Sequence, residues 1–221
     1  MLNVHYTVDV ELWCDSWHRL DADFSAAFDS HILGRTPKGD YGVEFQARVL
    51  AEHGLEGVFF VEPLFANRLG TQALADIVGM VSRHRQDAQL HVHTEWLDEA
   101  HEPLFPHISH KRQHLPMLPL EEQTRVIAEG LRLLRAAGAK HVNAFRAGNF
   151  AFNTDTLAAL AANGIAIDSS YNACVLGRDS GLRPGEDLNE PLQQGGVLEY
   201  PVTVYRDGTG RLRPMQITAC A

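Results

Sequence analysis

Residues 45–61 read FQARVLAEHGLEGVFFV. Phe45 to His53 is an alanine- and leucine-containing stretch that suits a helix. Gly54 then supplies the left-handed conformation that ends a helix at little cost. Gly57-Val58-Phe59-Phe60-Val61 follows, short, apolar and rich in β-branched and aromatic residues, which reads as a buried strand. The same unit recurs twice. Glu121 to Ala137, Gly138 and Val142-Asn143-Ala144-Phe145 form one copy, and Thr154 to Asn163, Gly164 and Ile165-Ala166-Ile167 the other. A helix from about Thr71 to His84 feeds Ala88 to Val92 in the same way, without the glycine.

Helix starts agree with this reading. Pro119 precedes Leu120-Glu121-Glu122, which puts acids in a first turn, and Asn153 can cap Thr154-Asp155. Val126, Ile127, Leu131 and Leu134 fall on one helical face. Strands alternating with helices predict an α/β fold built on parallel strands, as a sheet or a barrel. Function in such folds gathers at the C-terminal ends of the strands.

The bulk composition narrows the function classes. The chain has 221 residues, 45% hydrophobic and 21% charged, which suits one globular domain. A formal net charge of -9 argues against nucleic acid as the partner, because phosphate contacts need a basic face. The opening MLNVHYTVDVELW has no basic n-region, long apolar core or small-residue cleavage site, so it is not read as a signal peptide. No apolar run reaches about 18 residues, so no membrane span is expected. Cys14, Cys174 and Cys220 are few, odd in number and scattered. They read as free thiols in a reducing cytoplasm, not as a disulfide framework or a four-cysteine zinc site.

The strand ends carry the chemistry. The first strand, about Asn3 to Val10, ends Thr7-Val8-Asp9-Val10-Glu11. Asp9 and Glu11 are two apart and share a face of an extended chain. Two carboxylates on one face call for a cation or a shared proton, unless water solvates them. A polar strand end running into a loop is the competing reading. Next comes Gln89-Leu90-His91-Val92-His93-Thr94-Glu95-Trp96. His91, His93 and Glu95 alternate, and imidazole with carboxylate is the usual donor set of zinc and similar metals. Phe145-Arg146-Ala147-Gly148-Asn149-Phe150 offers an arginine that can orient an acid from a neighbouring strand, and a glycine that permits close approach. Asp168-Ser169-Ser170-Tyr171-Asn172 is polar after an apolar run. Glu199, in Val197 to Val202, is a weak candidate, a core acid paired with an arginine. Ala100 to Leu120 holds His101, His107, His110 and His114 and reads as a long polar loop or lid. No phosphate-binding GxxxxGK[ST] loop or GxSxG elbow is present.

Taken in order, TVDVE at 7–11, GVFFVEP at 57–63, QLHVHTEW at 89–96, FRAGNF at 145–150, IDSSYN at 167–172 and LEYPVTVY at 198–205 resemble the polysaccharide deacetylase family. The pieces span nearly the whole chain. The resemblance implies a distorted, incomplete (β/α) barrel of parallel strands, a single catalytic domain over 1–221, and one divalent metal ion, expected to be zinc. It implies a hydrolase acting on a non-peptide C–N bond and removing acetyl from an N-acetylated sugar or polysaccharide. Asp9 is implied to be the general base, with Arg146 holding it in its active charge state and Asn149 near the oxyanion. Glu11 and His91 are implied metal ligands, with His93 and Glu95 as alternatives for the next: a turn after Val92 favours Glu95. Trp96, Phe150 and Asp168 are implied to face substrate.

Two departures stand out. The family's second histidine, four residues after the first, is Glu95 here. The family's late leucine–histidine pair, which carries the general acid, has no match before Gln216-Ile217-Thr218-Ala219-Cys220-Ala221. That ending reads as a strand start, so either the chain is truncated or the protein lacks the acid. Two other functions stay open, hydrolysis of a small cyclic amide or ureide, and a non-catalytic carbohydrate-binding domain with a degenerate site. A homo-oligomer is compatible with either.

Overall fold

The computed structural model describes residues 4–216. Asn3, Cys220 and the strand start expected from Ile217 lie outside the described residues. The chain divides into two compact units. One takes residues 4–91, 96–109 and 129–142, the other 92–95, 110–128 and 143–216.

The first unit opens with β1 (Tyr6–Val10) and α1 (Leu20–Ala27), then a small hairpin of β2 (Arg35–Thr36) and β3 (Gly39–Asp40). α2 (Val43–Glu52) leads to β4 (Gly57–Val61), and α3 (Ala66–Leu69) with α4 (Thr71–Arg83) leads to β5 (Asp87–Val92). β4 pairs in parallel with both β1 and β5. Val10 stands opposite Val61, and Val61 opposite Leu90. The residues that follow these three, Glu11, Glu62 and His91, therefore emerge at one level. α5 (Leu120–Ala136) runs from the second unit into the first. Val126, Ile127, Leu131 and Leu134 on it are all buried, as their spacing requires.

The second unit contains β6 (Ala144–Ala147), α6 (Thr154–Ala162), β7 (Ile167–Asp168), β8 (Leu192–Gln194), β9 (Val197–Glu199) and a hairpin of β10 (Val204–Arg206) and β11 (Leu212–Pro214). β7 pairs in parallel with β6 and β9, while β8 runs antiparallel to β9. Mostly parallel strands, most of them reached through a helix, are what an incomplete (β/α) barrel is made from, and they bear out the expected α/β class. Among the described residues no helix is long and apolar enough to cross a membrane.

The four helix ends that decide this architecture share one geometry. Gly54, Gly138 and Gly164 have φ of 67°, 103° and 74°. In each case the next N–H bonds back to a carbonyl five residues earlier: Leu55 to Leu50 at 2.9 Å, Ala139 to Leu134 at 3.0 Å, Ile165 to Leu160 at 3.0 Å. This is the Schellman closure. After α4 the same place is taken by Arg85, with φ 55°, and Gln86 reaches Val81 at a longer 3.3 Å. The cap needs the conformation whether or not glycine supplies it. At the other end of α6, Asn153 accepts from the Thr156 N–H at 2.9 Å while the Thr156 hydroxyl accepts from the Asn153 N–H at 3.1 Å. That is the reciprocal form of the expected cap.

Two strands start later than their apolar residues suggest. β6 was expected over Val142–Phe145 and β7 over Ile165–Ile167. The Ile165 N–H is spent on the helix cap, so its ladder begins only at Ile167. At the other ends, the polar residues Arg146 and Asp168 belong to the strands and are buried.

Candidate metal centre

Glu11 lies one residue beyond β1, and His91 lies in β5. Oε1 of Glu11 accepts from Nε2 of His91 at 2.8 Å. β4 stands between their strands, so both side chains reach over its end. There Glu62, itself 1% exposed, is committed to the backbone: it accepts from the N–H groups of Leu64 at 2.8 Å and Phe65 at 3.2 Å. His93 follows β5 and is 3% exposed. Glu11, His91 and His93 each offer one ligand atom, and these atoms all lie within 4.8 Å of one another. A tetrahedral ion with bonds of about 2.0–2.2 Å sets its donors roughly 3.4 Å apart, so small side-chain movements suffice. Two imidazoles and one carboxylate are a donor set of catalytic zinc sites, which leave a fourth position open. The cluster can coordinate a divalent ion.

Of the two alternatives for the third ligand, His93 is the one brought into the cluster. Glu95 stands behind it. Its Oε2 meets Nδ1 of His93 at 3.3 Å and its Oε1 accepts from Nδ2 of Asn149 at 3.1 Å. An ionised carboxylate only accepts, so Nδ1 carries the proton and Nε2 of His93 is left as the donor atom. This is the usual outer partner of a metal-bound histidine. The chain does turn after Val92, with a short 3-10 turn at Thr94–Trp96, and Glu95 in that turn meets His93.

Gly148 explains why the next strand end contains a glycine. A Cβ there would sit 2.6 Å from Nδ1 of His93 and 2.7 Å from the Val92 carbonyl oxygen. The following Asn149 and Phe150 both have left-handed backbone, φ 56° and 55°. Asparagine tolerates that region, whereas a bulky aromatic there is unusual. Asn149 is exposed and Phe150 half-buried. Arg146 is 5% exposed. It donates from Nε to the Ser169 carbonyl at 2.9 Å and from Nη2 to the Ser169 hydroxyl at 2.9 Å, and its guanidinium lies 5.7 Å from the Phe150 ring centre. Asp9 is exposed in β1, on the opposite side of buried Val10 from Glu11 along the chain.

Two expected substrate contacts are sealed from solvent. Trp96 is 1% exposed and Asp168 0%. Trp96 is core, set among Trp13, Trp17 and Phe65. Asp168 is half of a buried acid pair with Glu199, its register neighbour on β9. Burial pushes Asp168 up to about 6, against the lowering effect of hydrogen bonds from Glu199 and Ser170. Burial, and then the Asp168 charge, push Glu199 well above the usual carboxylate range. Oδ2 of Asp168 and Oε2 of Glu199 have no other partner, and one proton held by Glu199 and donated to Asp168 satisfies both. Ser170 donates to Asp168 at 2.5 Å and accepts from the Ala147 N–H at 2.9 Å, while Glu199 accepts from the Tyr171 N–H at 3.0 Å. The acid pair thus ties the Asp168–Tyr171 turn to the strand end that carries Arg146. The arginine expected beside Glu199 is Arg146, whose charge acts on both acids.

The loop before α5 is fastened at its later part. Lys111 donates to the Glu95 carbonyl at 3.0 Å, and Thr94 donates to the Arg112 carbonyl at 2.6 Å. None of His101, His107, His110 and His114 joins a metal-ligating cluster among the described residues. Cys14 and Cys174 are free thiols. Burial raises the pKa of each, the opposite of a reactive thiolate.

A protein from Mycobacterium smegmatis assigned as a polysaccharide deacetylase is similar in structure, with a TM-score of 0.55 and 18% sequence identity. The likeness covers 90% of this chain and 58% of that protein. This chain shares that fold. It spans little more than half of that protein's length. Two further structures show a weaker likeness. A family 4 carbohydrate esterase from Streptomyces lividans in complex with acetate has a TM-score of 0.45 and 12% identity, over 76% of this chain and 62% of its own. A deacetylase from Streptococcus pyogenes in complex with acetate has a TM-score of 0.28 and 14% identity, over 76% and 72%. No protein-family model matches the sequence. No curated protein matches it either.

Proposed function

We propose that this chain is a metal-dependent hydrolase that removes an acetyl group from an N-acetylated sugar or polysaccharide. The observation that carries the proposal is the Glu11–His91–His93 cluster. Its position at strand ends of a fold shared with an assigned polysaccharide deacetylase directs the reading to an acetamide. The residues of this chain would belong to the catalytic domain, and the cellular setting we take is the reducing cytoplasm that scattered thiols suit.

Glu11, His91 and His93 would hold one ion, which we take to be zinc. Bound there, it supplies Lewis acidity, lowering the pKa of a water and polarising an acyl oxygen. Asp9 takes the proton of the attacking water. Arg146, a cation, would orient Asp9. Backbone N–H groups of the strained Asn149 turn stabilise the developing oxyanion. Phe150 lines the acyl group. Asp9 then holds the proton that the departing amine needs, so water and amide become acetic acid and amine, which leave as acetate and ammonium. Glu95 keeps His93 in one tautomer throughout.

Acetate release from N-acetylated sugars is the test, run with and without a chelator and with Asp9→Asn. Chelation is expected to abolish release, and Asp9→Asn to lower it by about 10² or more. Full activity in Asp9→Asn would remove Asp9 from the reaction. Release that ignores the chelator would remove the metal.

A further inference from the structure

Both oxygens of Glu11 are engaged. Oε1 faces His91, and Oε2 accepts from Nε1 of Trp13 at 2.6 Å. A bond that short to an ionised acceptor belongs to the stronger class. Trp13 is half-buried and is held by its neighbours. It stacks on Trp96, ring centres 6.3 Å apart at 25°, and meets Trp17 edge-on at 5.9 Å and 89°. Trp17 packs on Trp96 in turn at 4.9 Å, and Trp96 on Phe65 at 6.2 Å. The indole N–H is thus aimed by a braced aromatic cluster. Asp9, Glu11 and Trp13 also alternate along the chain.

We infer that Trp13 is a positioning residue for the metal centre: its indole N–H holds Oε2 of Glu11 and leaves Oε1 as the one ligating oxygen. The inference rests on reading Glu11 as a ligand. A carboxylate free to turn can bind through both oxygens and fill the position that a water or substrate needs. One held by Trp13 binds through one and keeps that position open. The bond also sets the side chain before an ion arrives, so less rotamer freedom is lost on binding.

Trp13→Phe keeps an aromatic ring and removes only the donor. Trp96→Phe makes the same chemical change in the same cluster, but Nε1 of Trp96 has no hydrogen-bond partner. The metal-stripped full chain and both variants are titrated with zinc by calorimetry, and their cobalt(II) forms are compared by visible absorption. Trp13→Phe is expected to bind zinc about 10–100-fold more weakly. Its cobalt bands should weaken as Oε2 joins and the coordination number rises. Trp96→Phe keeps the Trp13 donor while loosening its packing, and should lose less affinity than Trp13→Phe. A folded Trp13→Phe with wild-type affinity and spectrum overturns the inference, as does an equal loss in Trp96→Phe. Wild-type protein that binds neither ion removes the metal reading itself, a separate failure seen before any variant is made.

Discussion

Glu199 illustrates how a single side chain takes its character from a neighbour that its own sequence context hides. Read along the chain, it is one acid in an apolar strand. In the fold it faces Asp168 across the ladder, both are fully buried, and one proton serves the two. This arrangement has a consequence for stability. Asp168 titrates at about 6 in the folded chain against 3.8 for the free side chain, so between those values the fold keeps a proton that the unfolded chain has lost. The contribution is complete below the lower value and is lost as pH rises through the upper one. Glu199, also raised by burial and the Asp168 charge, contributes in the same direction. Glu199→Gln retains a donor for Asp168 and removes the repulsion and one titration. Melting temperature should therefore fall less between pH 5 and pH 8 in Glu199→Gln than in wild type, by about 2–4 °C on the scale of one kcal/mol for a chain of this size. Parallel pH profiles would count against the shared proton. Other residues were legible singly but not in company. His91, His93 and Glu11 stand out by type and alternation. Trp13 does not stand out along the chain, because tryptophan is ordinarily core, although it lies two residues from Glu11. Trp96 and Asp168 were assigned to substrate by resemblance, and burial gives them to the interior.

Among the elements, the helix–glycine–strand unit was readable because it rests on local physics. A helix needs a left-handed residue to close, and glycine advertises it. β4 lies where its apolar run does, Gly57–Val61, and α2, α4, α5 and α6 agree with expectation to within two residues at each end. β6 and β7 run one or two residues beyond their apolar runs for a reason that is not local. Their ends are polar, and only the partners Ser169 and Glu199 make it favourable to bury them. The one repeat without glycine offers an element-scale test. Arg85 sits in the left-handed region at the cap of α4, which an L side chain occupies at a cost. Arg85→Gly should raise stability by about 0.5–1 kcal/mol after glycine's greater freedom in the unfolded chain is allowed for. That corresponds to a Tm increase of about 1–4 °C. An unchanged or lower Tm would mean that other contacts of the arginine outweigh the strain.

For the molecule as a whole one event is central, the binding of an ion by Glu11 just beyond β1, His91 in β5 and His93 just after it. The fold class was visible in the order of the elements. The ligand set was visible only as alternatives, because choosing between His93 and Glu95 requires knowing where the chain turns and which carboxylate ends up behind which imidazole. The most direct measurement is calorimetric titration of the metal-stripped full chain with zinc, beside a His91→Ala/His93→Ala variant. One ion per chain is expected for the wild type, and no measurable binding by the variant. A wild type that takes up no ion, or a folded variant that binds as tightly as the wild type, would contradict this expectation.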